Sequence, residues 1–356
     1  MLLDIFHIYN RFEIVGLPYI SEPAKMQSLS PVEEVKRGNM AEISIVIPTE
    51  NSVNNLDALL LSVFVQSLQD TEIIIVDNAS TDKTVDLIDR YTKFDKRVKS
   101  IKSDKKLNII DCCRIGAENA TSPYVYFMNG TTFAYIGQGC LRRLWDNIRK
   151  YDTDLVYSPC AIVNALTFDV LPTYQIKPEK FIRKEVFDIN DMPAWLLFRL
   201  YLAPWAKLYK REFLKKVDFL PFNETFFLEC LFKAKKISYD LNNLYGCHMM
   251  PQDIKITDAL AEEQANLELL RKYNAYDKYK TAYIYHKMRG MWLEIMKAPN
   301  EQKEALFEQM KKEFINEDFS QYDFNVLRKE DLYWFMRDIK NVNYESFKAM
   351  YLENIV

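Results

Sequence analysis

Two runs of branched apolar residues constrain this chain more than any other feature. Ile43-Ser44-Ile45-Val46-Ile47 stops at Pro48, and Glu72-Ile73-Ile74-Ile75-Val76 stops at Asp77. Branched side chains are stiff at χ1 and suit a pleated surface, and a run apolar on both faces belongs to a strand covered on both sides. Between the runs, from Asn54 to Leu68, Leu56, Leu59, Leu60, Val63 and Phe64 recur at helical spacing. Asp82 to Phe94 repeats the helix with Val85, Leu87, Ile88 and Tyr91, and Tyr124-Val125-Tyr126-Phe127-Met128 is a further core strand. This alternation predicts an α/β fold, a mostly parallel sheet flanked by helices, with ligands at the carboxyl ends of the strands.

At 356 residues the chain exceeds one average domain. We expect an N-terminal extension over 1–40, where Pro18, Pro23 and Pro31 exclude a long helix, and an α/β domain over 41–255. A helical C-terminal region follows over 256–356, because Ala259 to Lys297 and Glu301 to Phe314 carry apolar residues every three or four positions. Its stripes suit packing or homo-oligomer formation, with a membrane-surface or acceptor-binding role as the alternative. Lys and Arg total 47 against 50 Asp and Glu, which gives no general attraction to nucleic acid. The six cysteines form no CxxC pair and the three histidines are scattered, so neither a zinc site nor a disulfide framework is expected, and reduced cytoplasmic thiols are the simpler reading. No uncharged run reaches the ~20 residues of a spanning helix. Membrane contact would therefore be peripheral, at the inner face.

The string Ile-Ser-Ile-Val-Ile-Pro-Thr-Glu-Asn (43 to 51) is followed by Ser-Val-Phe-Val-Gln-Ser-Leu (62 to 68) and Glu-Ile-Ile-Ile-Val-Asp-Asn-Ala-Ser-Thr-Asp (72 to 82). In order and at this spacing, these pieces resemble the opening of bacterial family 2 glycosyltransferases, which have a GT-A-like, Rossmann-like fold. Trp205-Ala206-Lys207-Leu208-Tyr209-Lys210-Arg211 and Asn223-Glu224-Thr225-Phe226-Phe227 resemble later segments of the family, so the likeness runs from 41 to about 250. It implies that Pro48, Thr49, Glu50, Asp77 and Asn78 line a nucleotide-sugar pocket, since a carboxylate or amide can pair with base N–H groups and ribose hydroxyls. Ser80-Thr81-Asp82 reads as the cap of the next helix. The resemblance further implies that Glu224 is the general base that deprotonates an acceptor hydroxyl; a one-residue slip would put Thr225 there.

The chain departs from the family at chemically important places. Where relatives carry D-x-D to hold Mg or Mn, it has Asn129-Gly130-Thr131, whose neutral oxygens bring no charge for a hard cation. We assign no metal ligands, leave Mg or Mn open as a weakly held cofactor, and read Asn129 and Thr131 as neutral contacts to the donor. Upstream, Arg114 stands one position out of register, where it reaches a donor phosphate or pairs with Asp111. The adjacent Cys112 and Cys113 read as small core residues on a helix, and His248 as a hydrogen-bonded imidazole. The expected activity is inverting transfer of a sugar from a UDP-sugar to a surface glycan, with Lys207, Lys210, Arg211 and Arg114 standing in for the cation. A catalytically inactive binding or scaffold protein is the alternative. A glycan- or protein-binding module that uses some of the 49 aromatic residues (22 Tyr, 22 Phe, 5 Trp) is the third reading.

Overall fold

The computed structural model describes residues 41–158, 160–164, 181–200, 202–240, 245–249, 256–323 and 339–352; the extension expected over 1–40 and the imidazole of His248 lie outside what it describes. Strands β1 (Ile43–Thr49) and β2 (Thr71–Asp77) are buried along their whole length and pair in parallel, with Thr49 beside Asp77 at their carboxyl ends. In parallel with them, β3 (Val98–Lys102) flanks β2, and β4 (Tyr124–Phe127) flanks β1 on the other side. The sheet then continues through β9 (Lys207–Lys210), β6 (Leu155–Tyr157), β10 (Ile237–Tyr239) and β8 (Val186–Phe187). Only β9 and β8 run against the others, so the expected mostly parallel sheet is present with two reversed strands. A second sheet joins β5 (Phe133–Ile136), β11 (Tyr245–Met249) and β7 (Cys160–Asn164).

Helices α1 (Leu56–Phe64), α2 (Thr84–Phe94), α3 (Ile109–Glu118) and α4 (Cys140–Tyr151) connect the first strands. The approach of α3 to the sheet is fixed by Gly116, where a Cβ would stand 2.2 Å from Val46 Cγ1. Cys112 and Cys113 on the same helix are fully buried core residues, as expected. At the amino ends of the strands, Glu72 is a buried anchor. Its carboxylate takes Lys99 Nζ at 2.7 Å, the Thr121 N–H at 2.6 Å and the Ser44 hydroxyl. Burial alone would raise its pKa, but Lys99 and these hydrogen bonds hold it at about 2.

Beyond α5 (Arg211–Leu214) and α6 (Asn223–Lys233), the C-terminal region forms α7 (Ile256–Lys272), α8 (Tyr276–Lys297), α9 (Asn300–Phe314) and a short α10 (Tyr344–Phe347). A left-handed Asn274 (φ 51°) makes the turn between α7 and α8. The start of this region is not an appendage: Leu269 and Leu270 of α7 and Tyr279 and Tyr283 of α8 belong to the same hydrophobic core as β1 and β2. Only from Ile284 onward does a second core take over, built on Met288, Phe307, Met310 and Phe314.

Candidate active site

The order β3-β2-β1-β4 reverses direction at β1, and at such a switch point a crevice opens beyond the carboxyl ends of the strands. Thr49, Glu50, Asp77 and Asn78 meet there. The Asn78 N–H donates to Thr49 O at 2.8 Å. The Asn78 amide donates to Glu50 Oε2 at 3.1 Å and Leu107 O at 2.9 Å, and accepts the Leu107 N–H at 2.7 Å. It is therefore a clamp between three loops. Glu50 also pairs with Lys106 at 2.7 Å. Asp77 Oδ2 accepts the Ser80 N–H at 3.3 Å, whereas Asp77 Oδ1 and Thr49 Oγ1 have no partner although the two residues are 2% and 0% exposed. Leaving a buried polar atom unpaired costs about 1–3 kcal/mol, so two at adjacent strand ends call for a ligand or water.

The loop geometry around them is equally specific. Ala79 (φ 55°) and Asn51 (φ 46°) occupy the left-handed region, which costs a residue with a Cβ about 1–2 kcal/mol. The Asn51 N–H donates to Ser80 Oγ at 2.9 Å, and Asn51 Oδ1 accepts the Thr81 N–H at 2.9 Å. This corrects the expected Ser80-Thr81-Asp82 cap: Ser80 and Thr81 tie two loops together, and only Asp82 serves α2, accepting the Thr84 N–H at 2.9 Å.

After β4, the Gly130 N–H donates to Pro48 O at 2.9 Å, and a Cβ on Gly130 would stand 2.9 Å from that oxygen. Glycine is what lets this loop lie against β1. Asn129 Oδ1 accepts both the Thr131 N–H at 2.9 Å and the Thr131 hydroxyl at 2.7 Å, so the amide oxygen closes on its own loop. The Mg or Mn that the resemblance implies does not fit here, because no carboxylate of the loop faces the crevice and the amide oxygen is already engaged.

Of the basic residues expected to replace that cation, Lys207 stands opposite Tyr157 at the carboxyl end of β6, while Lys210 and Arg211 lie at the far end of the sheet. Lys210 pairs with Asp152, and Arg211 donates to Ala120 O at 2.7 Å. Lys210 stands opposite Tyr124, at the amino end of β4 and so at the wrong end of the sheet. Lys207 is fully buried, donates to Trp205 O at 2.9 Å and lies 4.5 Å from the Phe227 ring and 5.0 Å from that of Tyr157. Arg114 pairs with Glu118 at 2.9 Å and with Asp111 at 3.5 Å.

Across the crevice, the Phe226 ring meets the Phe127 ring edge-on at 6.2 Å, which brings the start of α6 beside the carboxyl end of β4. Glu224, in the first turn of α6, points at the helical region. Its Oε2 is 2.8 Å from His286 Nε2, and Glu263 Oε1 is 3.3 Å from the same nitrogen. The Glu224 N–H donates to Glu262 Oε1 at 2.9 Å. Thr225, the alternative register, is buried and donates to Asn266 Oδ1 at 2.7 Å, while the Glu224 side chain keeps 32% exposure.

Burial works against charge here, and the neighbours decide the outcome. The His286 imidazolium holds the Glu224 carboxyl below its ordinary range despite burial. Burial would lower His286, but Glu224 and Glu263 lift it to about 9. Burial together with Glu224 raises Glu262 to about 8 and Glu263 to about 7. Glu262, Glu263 and His286 were missed in the sequence. Their signal was there: polar residues interrupting two otherwise apolar helical stripes.

Residues 44–218 match the family described as Glycosyl transferase family 2. Over 95 residues the chain is 35% identical to an uncharacterized glycosyltransferase of Haemophilus influenzae, covering 27% of this chain and 38% of that one. Over 215 residues it is 24% identical to the cholesterol galactosyltransferase of Borreliella burgdorferi, covering 57% and 59%. The chain thus spans less than two thirds of either relative. S. aureus TarS 1–349, solved in complex with UDP-GlcNAc, shares the fold with a TM-score of 0.59 over 88% of this chain and 92% of that one, at 16% identity. No helix among the described residues is long and apolar enough to cross a membrane. The matched segment, which runs from β1 past α5, is thus a Glycosyl transferase family 2 segment, and the fold around it is of the GT-A type.

Proposed function

We propose that the chain transfers a sugar, with inversion, from a UDP-sugar to a hydroxyl of a surface glycan. The observation that carries this reading is the pair of buried, unpartnered oxygens, Thr49 Oγ1 and Asp77 Oδ1, at the switch point of the sheet. An uncomplexed carboxylate oxygen is the natural acceptor for a base N–H or a ribose hydroxyl, and the Thr49 hydroxyl can donate or accept. Glu50 and Asn78 fix the rim of that pocket, and Pro48, Gly130 and Thr131 its floor. In TarS the ligand is UDP-GlcNAc, which supports a UDP-sugar here. On the acceptor side, the hydroxyl oxygen attacks the anomeric carbon while the bond to the diphosphate oxygen breaks. UDP leaves with the electron pair and Glu224 takes the proton. Displacement from behind inverts the anomeric centre.

The experiment is calorimetric titration of the full chain with UDP, with and without Mn. We expect saturable binding that Mn does not strengthen. Absence of UDP binding would overturn the reading. Asn129, closed on Thr131, favours a second reading, a binding protein without turnover. UDP-sugar hydrolysis that is lost in Glu224→Gln separates the two: the transferase shows it, the binding protein shows none.

A further inference from the structure

We propose that Glu224, Glu263 and His286 form a binding site for one divalent transition-metal cation, Zn2+ or Co2+, at the junction of α6, α7 and α8. The three candidate ligand atoms lie within 4.8 Å of one another. Metal–ligand bonds of about 2.0–2.2 Å place ligand atoms about 3–4 Å apart, so the 2.8 Å and 3.3 Å separations from His286 Nε2 need only a small expansion. Each ligand stands on a helix, and Glu263 and His286 stand well inside theirs, which holds the set rigidly.

Charge favours a cation independently of spacing. Glu224, Glu262 and Glu263 bring three carboxylates into one largely buried volume, and Arg289 is the guanidinium that acts on both Glu224 and His286. Glu263 Oε2 is buried without a hydrogen-bond partner, although the residue is 8% exposed. An imidazole nitrogen beside carboxylate oxygens selects Zn2+ or Co2+ over Mg2+ and Ca2+. The partial exposure of Glu224 provides an entry route and a place for a water ligand.

The site goes beyond the transfer reaction, and its test reads metal rather than turnover. Zn2+ would take Glu224 Oε2, the oxygen beside His286, and leave Oε1 as the base of the transfer reaction, so failure of either reading leaves the other standing. The full chain, stripped with chelator, is titrated with Zn2+ by calorimetry and then loaded with Zn2+ for X-ray absorption. We expect one equivalent bound, a higher Tm, and nearest neighbours of nitrogen and oxygen that include an imidazole. Glu263→Gln and His286→Asn should each weaken Zn2+ by about tenfold or more while UDP binding and far-UV circular dichroism stay unchanged. No saturable Zn2+ binding, sulfur among the nearest neighbours, or undiminished binding in both variants would overturn the site. Should a variant fail to fold, the absorption spectrum of the wild-type chain decides.

Discussion

The two sides of the crevice are short of opposite things. At the ends of β1 and β2, buried acceptor and hydroxyl oxygens lack hydrogen-bond partners, and the nearby loop after β4 is neutral. At the junction of α6, α7 and α8, two carboxylates share one imidazole and a third, Glu262, accepts the Glu224 N–H. The first deficit suits a ligand rich in N–H and O–H groups, such as a nucleoside. The second suits positive charge. The loop after β4 brings no carboxylate while the helix junction gathers three, so a metal requirement and a nucleotide requirement should be separable.

The largest expected effect removes the donor side altogether. Gly116→Val pushes side-chain atoms into Val46 and should cost about 3 kcal/mol or more, or prevent folding, read by urea denaturation. Next, Glu72→Gln should cost about 2–3 kcal/mol by the same measurement, because it leaves Lys99 and the Thr121 N–H facing a neutral group. Since its folded pKa is depressed, Glu72 contributes stability that is complete above about 4.5 and is lost as pH falls toward about 2. The variant should show a flatter acid limb. Asp77→Asn should weaken UDP by about tenfold to a hundredfold, some 1.4–2.8 kcal/mol, with Tm unchanged or raised and Zn2+ binding untouched. If Asp77→Asn and Glu263→Gln each altered both ligands, the two sides would not be independent. The smallest effect is at the rim. Lys106→Ala should change stability by less than about 0.5 kcal/mol and UDP affinity by less than about twofold, because the Lys106 side chain of the Lys106–Glu50 pair is largely exposed.

The central strands were legible because their signal is local. A strand buried on both faces is apolar over most of its length wherever it sits, and β1, β2 and β4 read directly from Ile43, Ile73 and Val125 onward. Reversed β9 was not read as a strand: Lys207-Leu208-Tyr209-Lys210 is short and charged at both ends, and it is held in place by partners distant in sequence. The crevice residues could be named because they follow strand ends, a position set by the fold. Which of their atoms are left unpaired depends on loops that meet only in three dimensions, as Asn78 does with Leu107. The same limit hid His286. Nothing near it in sequence announces Glu224, which approaches from a different helix. It also misplaced Lys210 and Arg211, whose spacing does not reveal which end of β4 they will face.

The insertion of β9 between β4 and β6 has a consequence for how the chain comes together. Strands β1 to β4 pair in parallel through nearby βα connections, so they can assemble as that part of the chain leaves the ribosome. Tyr126 and Val156 must both wait for Leu208, which closes the gap from each side. Until then β4 presents an open edge, a template for intermolecular pairing. Contacts of such sequence separation form slowly. The vulnerable interval for aggregation during synthesis should therefore end when β9 docks.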